Sequence, residues 1–465
     1  MGRLQTMANT KYFGTDGIRG EANGEILRPA MLVRIAQAAG LVVSRKNSSR
    51  PAHAGKPTVV IGKDTRLSGY MIESALQAGF TSVGYTCLLL GPLPTPAVAM
   101  LTRSLRADLG VMITASHNPY HDNGIKMFTP DGIKLNGGYV EEIEELIDNP
   151  DRIPRVSPDN IGKALRVEDA VGRYIEFVKT SLPPRMRFDD LKIVIDCANG
   201  AAYKIAPRIF WELGAQVIRI GTEPDGFNIN AECGATHPQA LAKAVVHHGA
   251  HLGIALDGDA DRLIMVDEKG DVLDGDLIIA SMAQFLKSQG KLQGGGVVAT
   301  VMTNMGMQRF VEDMGLKLIR TPVGDHYVEK AMREGGYNLG GEQSGHLIFR
   351  DFATTGDGIL AALQMLAFLK ERGGNLSDLR KLYQTWPQKM ENIRLPAGAN
   401  AAEVLESDAV QGSIKSAEHA MGSAGRVLVR KSGTEPLIRV MVEAESESDM
   451  LKHLGTISDT VRKSV

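Results

Sequence analysis

One serine, three closely spaced aspartates and a pair of arginines are the residues of this chain whose types and spacing suggest joint chemistry. In Gly110-Val-Met-Ile-Thr-Ala-Ser-His-Asn-Pro-Tyr120 a short apolar run ends in a turn that holds Ser116 beside His117. Pro119 lacks an N–H and restricts Asn118, so a strand cannot continue through it. A serine aimed off a strand end is a candidate covalent nucleophile or phosphate carrier. In Leu256-Asp-Gly-Asp-Ala-Asp-Arg262, Asp257, Asp259 and Asp261 alternate behind a second apolar run. Carboxylates crowded this closely repel one another unless a cation binds them. Oxygen-only ligands suit Mg²⁺ rather than zinc or copper. A solvated acidic turn is the plain alternative. An EF-hand fails because Arg262 stands where that loop needs glycine and the flanks read as strands. A phosphatase with Asp257 as nucleophile would want Thr or Val in the place of Asp261.

Three further segments add to this. Arg430-Lys-Ser-Gly-Thr-Glu-Pro436 pairs a glycine-freed backbone at Gly433 with the hydroxyls of Ser432 and Thr434. Arg430 and Arg439 flank it and can fork onto an oxyanion. A hairpin loop with a solvated basic face is the plain alternative. Gly340-Gly-Glu-Gln-Ser-Gly-His346 frames Glu342 and Ser344, which could bind sugar hydroxyls or an amine; otherwise it is a turn with His346 capping something. Lys11-Tyr-Phe-Gly-Thr-Asp-Gly-Ile-Arg-Gly20, with Gly62-Lys-Asp-Thr-Arg66 further on, sets Arg19 in a glycine-rich stretch, where Asp16 and the glycines are also what a tight turn requires. Lys126 follows the serine loop closely and could polarise a phosphate or move a proton, although most lysines lie at the surface. A serine at a strand end, a Mg²⁺-type carboxylate cluster and a separate phosphate-grasping loop together describe phosphoryl transfer.

The elements that must position these residues alternate β-branched runs with amphipathic stretches. Strands are expected at Thr58–Gly62, Val111–Thr114, Lys192–Asp196, Leu252–Leu256 and Gly296–Thr300, with helices at Gly69–Ala78 and up to Leu213. This alternation argues for parallel α/β units whose sites lie beyond the carboxyl ends of the strands. From about Arg380 the pattern becomes an α+β module: a helix ending near Trp386, strands at Arg426–Arg430 and Leu437–Glu443, and a last helix from Glu445. No strong sequence repeat is visible. At 465 residues the chain is too long for one ordinary core. A net charge of −2 gives no global field for nucleic acid. Cys87, Cys197 and Cys233 are odd in number and scattered, which argues against disulfides or a zinc cluster and for a reducing compartment. With no membrane-length apolar run and no signal-peptide core, the expected location is the cytoplasm, with no membrane partner.

Thr114-Ala-Ser-His-Asn-Pro119, Asp257-Gly-Asp-Ala-Asp-Arg262, Gly341-Glu-Gln-Ser-Gly-His346 and Arg430-Lys-Ser-Gly-Thr-Glu-Pro436 occur in the order found in the α-D-phosphohexomutases, which the chain resembles from about Lys11 onward. Tyr12-Phe-Gly-Thr-Asp-Gly-Ile-Arg19 and Gly356-Asp-Gly358 look like the bacterial amino-sugar branch of that family. The resemblance implies an α/β protein of four domains around a central cleft: α/β domains at 1–163, 164–262 and 263–379, and an α+β domain at 380–465. It implies an isomerase that interconverts glucosamine 6-phosphate and glucosamine 1-phosphate for cell-wall precursor synthesis. Ser116 would be carried as phosphoserine, with a sugar bisphosphate as intermediate and activator. Ser116, His117, Lys126, Arg262 and His326 are the implied catalytic residues. The Ser116 phosphate, Asp257, Asp259 and Asp261 would hold Mg²⁺. Arg19, Glu342, Ser344, Arg430, Ser432, Gly433, Thr434 and Arg439 would bind the phosphosugar. His326 stands where the amino-sugar members usually carry arginine, and related hexomutases have a histidine near this place. A phosphoglucomutase or phosphomannomutase of the same fold, or a phosphosugar-binding protein without catalysis, are the alternatives. A homodimer is one expected assembly.

Overall fold

The computed structural model describes residues 10–47, 55–396, 399–431 and 437–465. They form two compact units: 1–302 with 316–380, and 303–315 with 381–465. Among the described residues no helix is long and apolar enough to cross a membrane.

The first unit holds three mixed sheets. The first sheet runs, edge to edge, through strands Phe13–Gly14, Gly17–Glu21, Asp122–Phe128, Leu109–Ile113, Thr58–Lys63, Thr86–Pro92 and Ala164–Arg166. The second runs through Val272–Leu273, Leu263–Asp267, Leu252–Leu256, Lys192–Asp196 and Gln216–Ile220. The third runs through Lys317–Thr321, Gly296–Thr300, Leu339–Gly341 and Leu347–Phe349.

The three share one device that the sequence pattern did not reveal. In each, a central strand lies parallel to one neighbour and antiparallel to its own successor. Leu109–Ile113 is parallel to Thr58–Lys63 and antiparallel to Asp122–Phe128. Leu252–Leu256 is parallel to Lys192–Asp196 and antiparallel to Leu263–Asp267. Leu339–Gly341 is parallel to Gly296–Thr300 and antiparallel to Leu347–Phe349. The serine, aspartate and glutamate loops are the three connections at these reversals. They are therefore strand–loop–strand links, which the strand-like flanks had implied for the aspartate loop alone. The expected boundary at 262 falls inside such a hairpin, and the second sheet continues through Leu273. Likewise Ala164–Arg166 pairs with Thr86–Pro92, so the first sheet extends past 163.

Burial explains why the serine strand is so well fixed. All five residues of Leu109–Ile113 are buried, and each large apolar side chain withdrawn from water contributes about 1.5–3 kcal/mol. Gly110 lets the helix Thr95–Ser104 press close, since a Cβ there would lie 2.2 Å from Thr102 Oγ1.

The second unit packs a three-stranded antiparallel sheet, in the order Gln388–Arg394, Leu437–Ala444, Gly425–Lys431, against the helices Asp408–Met421 and Glu447–Lys463. Its core includes Val410, Ile438, Val440, Ile457 and Val461. It also takes the helix Met305–Asp313, which belongs in sequence to the third α/β region. Met305 N–H donates to Glu443 at 2.6 Å, Asn304 exchanges hydrogen bonds with the Trp386 backbone at 3.0 Å, and the Arg309 guanidinium lies 4.3 Å from the Trp386 ring centre. The module beginning near Arg380 thus recruits a segment 66 residues upstream of its main part, the stretch 316–380 lying between. The expected helix ending near Trp386 is a shorter 3₁₀ turn, Leu376–Lys381.

Candidate active site

Ser116 sits in the left-handed backbone region, at φ 52°. A non-glycine residue costs about 1–2 kcal/mol there, so the surroundings must enforce it. Thr114 Oγ1 accepts from Ser116 N–H at 2.8 Å and donates to Asp64 at 2.7 Å. Arg66, with a fully buried side chain, spreads its guanidinium beneath the loop. Nε donates to Asp64 at 2.8 Å, Nη2 to the carbonyls of Ser116 at 3.0 Å and Asn118 at 2.8 Å, and Nη1 to those of Asp122 at 3.0 Å and Pro119. From the second sheet's region, Asn230 Nδ2 reaches the same Ser116 and Asn118 carbonyls at 2.9 and 3.1 Å. Gly258 lies so close that a Cβ would stand 2.5 Å from the Ser116 carbonyl oxygen.

Held this way, Ser116 Oγ donates to Asp257 Oδ2 at 2.7 Å, while His117 Nδ1 is 3.5 Å from the same hydroxyl. Burial, then the charges of Arg262 and Arg19, lower the His117 pKa to about 3. The Ser116 hydroxyl is directed at Asp257 and not at His117, unlike the serine of a triad. Ser116 itself is 2% exposed, and its hydrogen-bond partners include Thr114, Arg66, Asn230 and Asp257.

Asp257, Asp259 and Asp261 are all buried, and carboxylate oxygens from the three lie within 4.8 Å of one another. Burial and the two neighbouring carboxylates push Asp257 up to about 8. Asp261 is also penalised by burial, but Lys126 and His346 hold it well below the usual carboxylate range. Asp259 Oδ1 and Asp261 Oδ1 have no donor among the described residues. Two orphaned carboxylate oxygens in a buried three-carboxylate pocket fit a hard divalent cation.

Lys126, which the sequence could not tell from a surface lysine, is 1% exposed. Its Nζ donates to Asp259 at 2.8 Å and Asp261 at 3.0 Å and stands 3.4 Å from Asp16. Burial opposes its charge, but Asp16, Asp259 and Asp261 keep its pKa well above the ordinary value. Asp16 also pairs with Arg19 and Lys134, and Lys134 bridges on to Asp325. His346 completes the ring, 3.7 Å from both Asp261 and Asp325, and its Nε2 accepts from Gly356 N–H at 3.1 Å. Arg262 Nε is 3.8 Å from Asp257.

Glu342 accepts from Gly324 N–H at 3.0 Å, and Ser344 Oγ is 3.4 Å from its other oxygen. The glutamate loop thereby meets the segment that carries His326. Burial lowers the His326 pKa, its ring packs on Tyr327, and neither ring nitrogen has a partner among the described residues. A cavity of about 580 Å³ is lined by Lys126, Lys134, Asp325, His326, Tyr327 and His346, among others. Ser116, Asp257, Asp259 and Asp261 do not line it. It meets their cluster at Lys126 and His346.

The first unit thus brings Ser116, His117, Lys126, Arg19, Arg262 and the three aspartates into one linked cluster, with Glu342 and Ser344 in an adjoining loop and His326 in the first turn of the helix Asp325–Gly335. In the second unit Arg430 and Arg439 are direct cross-strand partners. Burial and the Arg439 charge lower the Arg430 pKa. Ser432, Gly433 and Thr434 lie outside the described residues. Asn230 and Lys134 lie in none of the segments singled out from sequence, while Arg66 closes Gly62–Arg66 and Asp325 precedes His326, neither with a role assigned there. Asp64-Thr-Arg66 at a strand end was a faint signal, and Asn230 carried none.

Four family models match the chain. They are phosphoglucomutase/phosphomannomutase alpha/beta/alpha domain I at 10–153, domain II at 172–270 and domain III at 274–386, and the C-terminal domain at 390–454. The chain is 53% identical over 453 residues to a protein named phosphoglucosamine mutase from Paramagnetospirillum magneticum, covering 97% of this chain and 99% of that one. It is 56% identical over 438 residues to the protein of that name from Cereibacter sphaeroides, covering 94% and 96%. Among solved structures, a phosphoglucomutase/phosphomannomutase family protein from Burkholderia thailandensis superposes with a TM-score of 0.80 at 24% identity, over 99% of this chain and 97% of that one. An Aspergillus fumigatus N-acetylphosphoglucosamine mutase, solved with GlcNAc-6P and magnesium, gives 0.68 at 19% identity, over 100% and 97%. At such identities these two likenesses speak for the fold alone.

Proposed function

The chain belongs to the phosphoglucomutase/phosphomannomutase family, and on that premise we propose that it interconverts glucosamine 6-phosphate and glucosamine 1-phosphate, with Ser116 as the phosphate carrier. The carrying observation is the Ser116 hydroxyl, 2.7 Å from Asp257 in a buried carboxylate cluster that also contains a lysine. Relatives 53–56% identical over nearly their whole length support the amino sugar as substrate.

In this reading a sugar bisphosphate primes Ser116. The sugar O1 of glucosamine 6-phosphate attacks the phosphorus of phosphoserine, the P–Oγ bond breaks, and the O1 proton passes to a base. The bisphosphate then turns over. Ser116 Oγ attacks the 6-phosphate, O6 leaves and takes a proton, and glucosamine 1-phosphate is released with phosphoserine restored. Asp257, Asp259 and Asp261 would hold Mg²⁺. When bound, that ion neutralises charge on the phosphoryl group in flight. Lys126, kept as an ammonium by its three carboxylates, offers fixed positive charge in a dry site, where such groups act most strongly. His326, neutral and with free ring nitrogens, is the candidate proton carrier. Glu342 and Ser344 read the sugar. Arg430 and Arg439 offer two guanidinium groups to a phosphate. The product would feed cell-wall precursor synthesis in the cytoplasm.

A second reading rests on the resemblance: related hexomutases have a histidine near the place of His326, which would fit phosphoglucomutase or phosphomannomutase activity. Turnover of glucosamine 6-phosphate against glucose 6-phosphate separates the two, and a large preference for glucose rejects the amino sugar. The carrier role is tested by mass spectrometry after treatment with glucose 1,6-bisphosphate. Wild type should gain one phosphate at Ser116. Ser116→Ala should gain none and lose turnover while melting within a few degrees of wild type. A phosphorylated Ser116→Ala, or a wild type that never takes the phosphate, refutes the mechanism.

A further inference from the structure

We propose that Arg66, which lies outside the serine, aspartate, glutamate and arginine motifs, is the positioning residue for phosphoryl transfer at Ser116. The inference rests on the phosphoserine reading above and goes beyond it.

A guanidinium has five N–H donors and no acceptor. All five of Arg66 are spent inside the protein: one on Asp64, and four on the carbonyls of Ser116, Asn118, Pro119 and Asp122. None is left for a substrate, so Arg66 acts through the loop and not on the reactants. What it does there follows from peptide geometry. In a trans peptide the C=O and N–H point in opposite directions. Anchoring the Ser116 carbonyl to Arg66 and Asn230 therefore turns the His117 N–H away from both. That N–H has no acceptor among the described residues, which leaves it free for an oxygen that arrives from outside the chain. The same anchoring keeps Ser116 in its left-handed conformation, with Oγ aimed at Asp257. Asn230 makes the clamp two-sided. Its amide spends both N–H groups on the Ser116 and Asn118 carbonyls, from a loop of the second sheet's region.

Lysine cannot replace this fork. It offers three donors from a single point on a flexible stem, whereas the carbonyls are spread around a planar group. A displacement of about 1 Å in a reacting group costs roughly 10²-fold in rate. Arg66→Lys should therefore slow the chemical step about 100-fold and leave sugar affinity alone, because the sugar-reading residues Glu342 and Ser344 do not touch Arg66. Asn230→Ala removes the second clamp while leaving the Asp64–Arg66 pair intact, and should slow the step less, by about tenfold.

The test is single-turnover transfer of ³²P from labelled glucose 1,6-bisphosphate to Ser116, with rate and half-saturating concentration measured separately and melting curves in parallel. Uptake by wild type, a rate about 100-fold lower in Arg66→Lys and an unchanged half-saturation support the proposal. If Arg66→Lys does not fold, a slowed Asn230→Ala with unchanged half-saturation supports it in its place. Labelling of Arg66→Lys at the wild-type rate overturns it. So does a loss that merely follows the folded fraction while Asn230→Ala labels like wild type. Failure of wild type itself to take the label overturns the phosphoserine reading, a different result from either of these.

Discussion

Replacing Lys126 with methionine should turn the aspartate cluster from a balanced site into one that requires a cation. Methionine keeps the length of the side chain and removes its charge. Lys126 Nζ lies 2.8 Å from Asp259 and 3.0 Å from Asp261. At an effective dielectric of about 20, an ion pair at that separation is worth about 6 kcal/mol before desolvation is counted. Stripping one partner from a buried pair costs about 3–5 kcal/mol net, since the remaining charge is left uncompensated. Here the carboxylates would also repel one another, a repulsion that adds to burial in pushing Asp257 up to about 8. For a domain of this general size each kcal/mol lowers the melting temperature by roughly 2–4 °C. In EDTA, Lys126→Met should therefore melt on the order of 10 °C below wild type. Mg²⁺ at about 100 times its dissociation constant adds about 2.7 kcal/mol to any state that binds it, and the variant should bind it more tightly than wild type because its carboxylates lack a counter-charge. The gap should narrow in Mg²⁺. Scanning calorimetry with and without Mg²⁺ measures both numbers. Equal melting temperatures in EDTA, or a gap that widens with Mg²⁺, would refute the charge-balance reasoning.

Two further outcomes are expected. Asp357 caps the helix Gly358–Arg372, accepts from Tyr174 OH at 2.9 Å, and is pushed up to about 6 mainly by burial. Because its folded-state pKa lies above the unfolded value, the cost is absent below about pH 4 and grows to about 3 kcal/mol as the pH rises through 6. Asp357→Asn keeps the cap without the charge, so its melting temperature should gain on wild type by several degrees between pH 4.5 and 7.5. A pH-independent difference would contradict this. Gly258→Ala would place a methyl group 2.5 Å from the Ser116 carbonyl and 2.8 Å from Asn230 Nδ2. Turnover should fall about 10²-fold with Mg²⁺ affinity kept, as read by steady-state kinetics and calorimetric titration.

What the sequence made legible is local. Ser116 and the alternating aspartates each follow an apolar run within a few residues, so residue type and strand end are read together, whereas the Glu342 loop is framed only by glycines. The strands at Thr58, Lys192, Leu252 and Gly296 came through for the same reason, since each is a short β-branched run. The reversal of direction after each site strand was not legible. It depends on which neighbour a strand pairs with, and a buried parallel strand and a buried antiparallel one have similar composition. Nor could the sequence show that Lys126 and Arg66 are buried. Lys126 is met by Asp259, Asp261 and Asp16, and Arg66, beyond its pair with Asp64 two residues before it, by loop carbonyls, at separations of about 50 to 135 residues along the chain. The departure near Trp386 has a related cause. That stretch is fixed by Asn304, far upstream, and not by its own helical preference.

The helix Met305–Asp313 belongs to the C-terminal unit but is encoded before the last strands of the third α/β region. During synthesis this helix emerges well ahead of the sheet it serves. At about 5–20 residues per second, it waits seconds for Trp386 and longer for Glu443, with its Asn304 cap already formed but its partners not yet made. A fragment beginning at Lys381 would keep Arg426 on Glu443 but lack the Met305 N–H that donates to its other oxygen and the side chain that closes on the Trp386 backbone. The C-terminal unit is thus compact in space but divided in time, and only the whole chain carries the instructions to complete it.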